Sequence, residues 1–63
     1  MTDPRVTLEQ TSAGSYIVRY DGYEIGHVGR TGRKWQATTA DFNLGEHRSR
    51  KEAVDALVDI HTT

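Results

Sequence analysis

The sequence contains no cysteine, and only one proline, one tryptophan, one phenylalanine and one methionine among its 63 residues. Without cysteine the chain can form neither disulfide bonds nor thiolate metal sites, an absence typical of proteins from a reducing compartment. It has no run of about 18 apolar residues, so no membrane-spanning helix is predicted, and no segment has the pattern of a signal peptide. We therefore expect a cytoplasmic, single-domain protein of residues 1–63 with no membrane partner.

A β-hairpin is predicted around Asp21–Gly22, which lies between two segments that alternate polar and apolar residues. Asp-Gly suits a type I′ turn, because both central residues of that turn need positive φ. A two-residue loop makes Tyr20 oppose Tyr23 and makes Arg19 oppose Glu24 as an ion pair. The same register continues outward through three further pairs: Val18 with Ile25, Ile17 with Gly26, and Tyr16 with His27.

This register separates the side chains into two faces, because successive residues of a strand point to opposite sides. One face contains all three tyrosines of the sequence. A β-bulge marked by Gly26 and Gly29 is an alternative, in which Ile25 and Val28 both point inward. In the regular register the tyrosine face comprises Tyr16, Val18, Tyr20, Tyr23, Ile25 and His27, and the other face comprises Ile17, Arg19, Glu24, Gly26 and Val28.

A second turn follows at Thr31–Arg33, and its length decides where Trp35 lies. A two-residue loop, Thr31–Gly32, puts Trp35 opposite Val28, and we favour this register. A three-residue loop, Thr31–Arg33, would instead move Trp35 and Ala37 to the tyrosine face, because a slip of one residue reverses every side chain.

The remaining segments complete an α+β fold. Val6–Gln10 alternates as a first strand, residues 1–5 are expected to be frayed, and residues 40–48 form a loop in which Phe42 and Leu44 act as a hydrophobic plug. Ser49 and Glu52 have the spacing of a capping box, so a helix is predicted over 49–61. The expected fold is an antiparallel β-sheet of three to four strands within residues 6–39, with one C-terminal helix packed on one face (β-β-β-β-α).

One helix can cover only one face of this sheet, so the other face is exposed to solvent or to a partner. If the helix covers the face of Val28 and Trp35, the tyrosine face is open, and a large apolar and aromatic surface of this kind marks an interaction site. The alternative is that the tyrosine face is itself the core.

The charged residues are unevenly distributed although the net charge is only −1. Residues 30–51 contain six basic residues against Asp41 and Glu46, a net charge of +4, and the segments on both sides are acidic. This pattern indicates either ordinary surface charge or a basic patch. Its members are Arg30, Arg33 and Lys34 at the second turn, and Arg48, Arg50 and Lys51 at the helix N-terminus, where free N–H groups make a phosphate contact plausible.

No pattern of residues indicates catalysis, a metal or a cofactor. The histidines His27, His47 and His61 do not have the spacing of a ligand set, and Ser49 is a helix cap without a partner base. The glycines at positions 26, 29 and 32 lie in and around a hairpin rather than before a helix, so no nucleotide loop is predicted. We therefore expect a non-enzymatic protein.

The segments Lys34-Trp35-Gln36-Ala37 and Ser49-Arg50-Lys51-Glu52-Ala53 resemble the arm-type DNA-binding domain of phage tyrosine integrases. The resemblance covers Tyr16 to Ile60, and the chain also resembles small standalone proteins of phages and actinobacteria. The resemblance to the integrase domain implies a three-stranded sheet whose open face enters the major groove of DNA. The chain departs from the family pattern by an additional leading strand and by its net negative charge.

These observations predict a small binding module whose partner is DNA. Arg30, Arg33 and Lys34 would contact phosphates, with Arg48, Arg50 and Lys51 as further phosphate contacts, and Tyr16, Tyr20 or Arg19 would face the bases. Tyr23 and His27 belong to the same expected surface. The alternative is a protein-interaction module or a homodimer that uses the tyrosine face or a free strand edge.

Overall fold

The computed structural model describes residues 4–63 as a five-stranded antiparallel meander followed by one helix. The α+β class is confirmed, but the sheet has one strand more than the largest predicted number. Residues 1–3 of the segment expected to be frayed lie outside the described residues, and Pro4 and Arg5 form a turn. The elements are β1 (Val6–Ser12), β2 (Ser15–Tyr20), β3 (Tyr23–Thr31), β4 (Lys34–Thr38), β5 (Asn43–His47) and α1 (Arg50–Thr62).

The fifth strand replaces most of the loop predicted over residues 40–48. Asn43–His47 pairs with β4, and Gly45 interrupts the strand with a φ of +83°, which glycine adopts without strain. Leu44 packs against the core as expected, whereas Phe42 is 62% exposed and does not act as a plug. The glycine breaks the alternation of polar and apolar residues that identifies a strand, so this segment has no periodic signal.

The turn between β2 and β3 forms as predicted. Asp21 and Gly22 have φ values of +53° and +88°, Tyr20 opposes Tyr23, and Arg19 opposes Glu24. Beyond Glu24 the register shifts, because Ile25 is an additional residue: Val18 opposes Gly26, and Tyr16 opposes Val28. The bulge alternative is therefore confirmed, and the regular register is wrong beyond Arg19.

The turn between β3 and β4 has a two-residue loop, Gly32–Arg33, one position later than the favoured register. Gly32 has a φ of +64°, which suits the first loop position of a type II′ turn. As a result Ala37 opposes Val28, and Trp35 opposes Arg30. Trp35 and Ala37 therefore stay on the side of Val28, as in the favoured register, and the bulge at Ile25 puts that side together with Tyr16. The alternative three-residue loop does not form.

The bulge at Ile25 makes the tyrosine face the core face, because it puts Val28 and Ala37 on the same side as Tyr16 and Val18. Val18, Val28 and Ala37 are at most 1% exposed, and Tyr20 is buried. Helix α1 packs over β3, β4 and β5, and its buried residues Ala53, Val54 and Leu57 close this core from above. The expectation that the tyrosine face is open is therefore wrong: Tyr16 and Tyr20 lie beside the core, and the opposite face of the sheet is exposed.

Candidate nucleic-acid interface

The exposed face of the sheet, opposite α1, is predominantly polar, and we call it the open face. Cross-strand pairing places its residues in rows, one of which runs from Glu9 through Ile17, His27 and Thr38 to Asn43. A second row runs from Ser15 through Gly29 and Gln36 to Glu46. Ile17 is the one large apolar side chain in these two rows, so the face offers hydrogen-bond donors and acceptors rather than an apolar surface.

A shallow depression of about 460 Å³ lies on the open face around Gly29. Gly29 pairs with Ser15 on one side and Gln36 on the other, and it has no side chain to fill the space between them. The lining side chains supply hydroxyl, amide and imidazole groups, and no carboxylate is among them. The polar lining residues are Thr11, Ser12, Ser15, His27, Arg30, Thr31, Gln36 and Thr38.

Arg19 lies on the open face but is bound to a different acid from the one predicted. Its register partner is Glu24, yet Nη1 of Arg19 donates a hydrogen bond to Oε1 of Glu9 on β1. Glu24 instead lies 3.9 Å from Nε2 of His27 on its own strand. The bulge at Ile25 follows Glu24 directly and disturbs the geometry of the predicted pair, which leaves Glu9 as the partner. Arg19 is therefore partly neutralised before any ligand binds.

The topology brings the six basic residues of 30–51 to one end of the sheet, which we call the basic end. The β3–β4 turn carries Arg30, Arg33 and Lys34. Trp35 pairs with His47, so Arg48 follows β5 at the same end, and α1 begins there two residues later. The β1–β2 turn joins them, because the N–H of Arg30 donates to the carbonyl oxygen of Gly14 over 2.7 Å. Two stretches of basic sequence thus form one surface.

Three of these cations have no internal partner. Among residues 4–63, no carboxylate forms an ion pair with Arg33, Lys34 or Arg48. Arg30 donates from Nε to the carbonyl oxygen of Gly32 over 3.0 Å, which keeps its side chain close to the turn. Free cations on an exposed turn are available to an anionic ligand without the loss of an existing ion pair.

Two side chains cap the start of the helix. Oγ of Ser49 accepts from the N–H of Glu52 at 3.1 Å, as the capping box predicts, but the carboxylate of Glu52 accepts from the N–H of Arg48 rather than from that of Ser49. The guanidinium of Arg50 lies 4.9 Å from the ring centre of Tyr16. Of the three cations of the predicted phosphate seat, Arg48 is the one whose side chain has no ion-pair or ring partner among residues 4–63.

Lys51 is bound on the outer surface of α1. Its Nζ lies 2.8 Å from Oδ2 of Asp55, one helical turn later. The hydrogen bond and the charge of Asp55 raise the pKa of Lys51 above its usual value, with a smaller contribution from Glu52. Lys51 is thus paired within the helix, in contrast to Arg33 and Lys34.

The three tyrosines occupy three different environments. Tyr16 is half-buried on the helix side, with its ring centre 6.0 Å from that of Trp35. Tyr20 is buried at the opposite end of the sheet, between the guanidinium of Arg5 and the ring of His61. Tyr23 is 74% exposed, but it lies at the Asp21–Gly22 turn, far along the strands from the basic end. The structure does not bring these rings together into one binding surface.

The histidines are equally dispersed. His27 is on the open face, His61 is near the end of α1, and His47 opposes Trp35 on the helix side. Nε2 of His47 is buried and has no hydrogen-bond partner among residues 4–63. Within those residues no three His, Asp or Glu side chains are grouped as a metal site. The one helix among the same residues, α1, is too short and too polar to cross a membrane.

The hydroxyl and amide residues of the open face were not identified as candidates from the sequence. Thr11, Ser15, Thr31, Gln36 and Thr38 are ordinary strand and turn residues in the printed sequence. Their alternation with Tyr16, Val28 and Ala37 is the signal that could have found them, but only with the bulge at Ile25 placed correctly.

No protein-family model, no curated protein and no solved structure matches this chain.

Proposed function

We propose that this protein is a non-enzymatic DNA-binding module that contacts DNA with its basic end and its open face. The observation that carries the proposal is the gathering of Arg33, Lys34 and Arg48 at one end of the sheet, each without an ion pair among the described residues 4–63. Cations of this kind bind phosphates by releasing counterions from the nucleic acid. Arg30 lies at the same turn and adds to the positive potential.

The open face next to the basic end supports the same proposal. The depression around Gly29 has a hydroxyl, amide and imidazole lining without a carboxylate, so its potential does not oppose a polyanion. Gln36 and Thr38 project from adjacent open-face positions of β4 and can both donate and accept hydrogen bonds. Side chains of this type read base edges, while arginine and lysine at the rim position the backbone.

Two features limit which part of the open face can approach DNA. Glu9 and Glu46 lie in the rows of β1 and β5, at the two edges of the sheet. The carboxylate of Glu9 is compensated by Arg19, whereas no basic side chain among residues 4–63 forms an ion pair with the carboxylate of Glu46. The contact surface is therefore the centre of the sheet, β2 to β4, towards the basic end. A cytoplasmic location belongs to the same proposal, because DNA is available there.

The experiment is a titration of labelled duplex DNA by fluorescence anisotropy at several salt concentrations. Contacts from three free cations predict that log K falls with log salt with a slope of about −3. Arg33→Gln should weaken binding on all sequences and reduce the magnitude of the slope by about 1. Lys51→Gln is the matched control: it removes the same charge, but its ammonium group is already bound to Asp55, so we expect the slope to stay unchanged.

Two results would overturn the proposal. One is no binding by the wild-type protein at about 100 μM in low salt, because non-specific DNA binders reach dissociation constants of about 10⁻⁴–10⁻⁶ M. The other is an equal loss of affinity in Arg33→Gln and Lys51→Gln, which would indicate that net charge rather than the basic end determines binding. A single-stranded probe run in parallel shows whether the duplex is preferred.

A further inference from the structure

The sheet has two edges, β1 and β5, and they differ in regularity. In β5, Gly45 has a positive φ and the pairing with β4 shifts between Gln36 and Thr38. Such a bulge prevents further strands from adding to an edge. In β1 the register with β2 is uninterrupted from Val6 to Gln10, and β2 is its one neighbouring strand within residues 4–63.

The direction of the β1 backbone groups follows from one hydrogen bond. The N–H of Asp21 on the β2 side donates to the carbonyl oxygen of Arg5 over 2.7 Å, so the polar groups of Arg5 point towards β2. In an antiparallel ladder this direction alternates from residue to residue. The N–H and C=O groups of Val6, Leu8 and Gln10 therefore point away from the sheet, into solvent.

The side chains of β1 do not protect this edge. Lysine, proline and inward-pointing charges are the usual means of blocking an edge strand, and Val6–Ser12 contains neither lysine nor proline. Its one charged residue, Glu9, is bound to Arg19. Leu8 points to the helix side opposite Val18, yet it is 38% exposed, because α1 packs over β3, β4 and β5 and leaves β1 uncovered. The edge thus combines free backbone groups with an exposed apolar side chain.

We propose that β1 pairs with β1 of a second copy of this chain, antiparallel and about a two-fold axis at Leu8. In this register Leu8 opposes Leu8 of the second copy, Val6 opposes Gln10, and Thr7 opposes Glu9. All residues with outward-pointing backbone groups then face one another, and each such pair exchanges two hydrogen bonds. The two exposed leucines cover each other, and no like charges are opposed.

The neighbouring registers are worse for identifiable reasons. An axis at Glu9 would place two glutamates directly opposite each other, which is destabilising. An axis at Thr7 would place Gln10 opposite Pro4, which has no N–H to donate. The axis at Leu8 is perpendicular to the sheet, so the pair forms one continuous ten-stranded sheet, five strands from each copy, with both helices on one side and both open faces on the other.

Cysteine cross-linking tests this register directly, because the chain has no cysteine of its own. Residues that form a hydrogen-bonded pair have Cα atoms about 5.5 Å apart, which is within the range of a disulfide bond. Leu8→Cys should therefore give a covalent dimer on mild oxidation. Gln10→Cys is the matched control, because its two cysteines would lie four residues apart along the strands, about 13 Å. This variant should give at least ten-fold less covalent dimer.

Sedimentation of the unmodified protein provides the second measurement. We expect its mass to rise from one to two chains with concentration, and Leu8→Lys to weaken this association at least ten-fold because it places two ammonium groups together on the axis. Phe42→Lys, at another exposed apolar residue, should associate like the wild type. Near-ultraviolet circular dichroism checks that the variants remain folded.

Three outcomes would overturn the proposal: a wild-type protein that stays monomeric at about 1 mM, a Leu8→Lys protein that associates like the wild type, or covalent dimer from Thr7→Cys in place of Leu8→Cys. None of them affects the DNA-binding proposal, whose contact residues lie on β2 to β4, in the β3–β4 turn and directly after β5. Loss of DNA binding in Arg33→Gln would likewise leave the cross-linking result unchanged.

Discussion

Leu57 occupies the space that a side chain on Gly26 would need. A Cβ atom built on Gly26 would lie 2.8 Å from Cδ2 of Leu57 and closer still to the carbonyl oxygen of Thr38. Gly26 is thus the point at which helix α1 approaches β3, and its missing side chain permits that approach. The bulge at Ile25 puts Gly26 opposite Val18 on the helix side of the sheet, where Leu57 packs against it.

The first prediction concerns this contact. Gly26→Ala should lower the free energy of unfolding by about 1–3 kcal/mol through overpacking, measured by urea denaturation. Gly29→Ala is the matched control in the same strand: its nearest neighbour, Oγ of Ser15, is 3.9 Å from the added Cβ. For Gly29→Ala we expect the free energy of unfolding to stay unchanged or to rise by up to about 1 kcal/mol, because alanine has less conformational freedom than glycine in the unfolded chain.

The Leu57→Ala background separates the two obstacles at Gly26. Leu57 is 1% exposed, so its truncation should cost about 2–5 kcal/mol by itself. Adding Gly26→Ala to this background should still be destabilising, because the carbonyl oxygen of Thr38 is part of the sheet and cannot move aside. Full relief of the Gly26→Ala defect by Leu57→Ala would contradict this account.

The second prediction concerns the partner of Arg19. A double-mutant cycle with Arg19→Gln and Glu9→Gln should give a coupling of about 0.2–1 kcal/mol, the range measured for exposed pairs. The cycle of Arg19→Gln with Glu24→Gln should give a value near zero, although Glu24 is the register partner. Thermal or urea unfolding of the single and double variants measures both. A larger coupling to Glu24 would show that Arg19 changes partner in solution.

The third prediction concerns the titration of Lys51. Because Asp55 raises its pKa in the folded protein, Lys51 should retain its proton to a higher pH than in the unfolded chain. The stabilisation from the pair is then complete below the unfolded pKa of about 10.4, and it is lost as the pH rises through the folded pKa. An NMR titration of the lysine side chain measures this, and Asp55→Asn should return the titration to the usual range.

Local signals in the sequence were sufficient for the first four strands, for the helix and for one turn, but not for β5. Asp21–Gly22 defined its hairpin because the positive φ at both positions restricts the residue types, and Ser49 with Glu52 identified the start of α1 because capping depends on two residues three apart. The apolar residues Ala53, Val54 and Leu57 identified the buried side of the helix for the same reason: the information is contained within a few residues.

The assignment of faces needed information that is not local. A single additional residue, Ile25, moves Val28 to the side of Tyr16 and reverses every side chain of β3 beyond it. The later β3–β4 loop shifts the pairing of β4 by two residues, which leaves Trp35 and Ala37 on the same side as Val28. Glycine is needed next to the bulge at position 26 because Leu57, a residue distant in sequence, packs against it. The tyrosine surface was therefore predicted on the wrong side, while the cations at the turn kept their exposed position in either register.

The order of the strands also determines the electrical asymmetry of the molecule. Four acidic residues lie towards the end of the sheet opposite the basic end: Asp21, Glu24, Asp41 and Asp59. Helix α1 begins at the basic end, so the partial positive charge of its N-terminus adds to the positive charge there. A chain with a net charge of −1 thus carries a strong dipole along its strands. The field of a polyanion would rotate such a molecule until Arg33 and Arg48 face the polyanion before contact. Because salt screens this field, the association rate constant should decrease with added salt, although the net charge of the protein has the same sign as the polyanion.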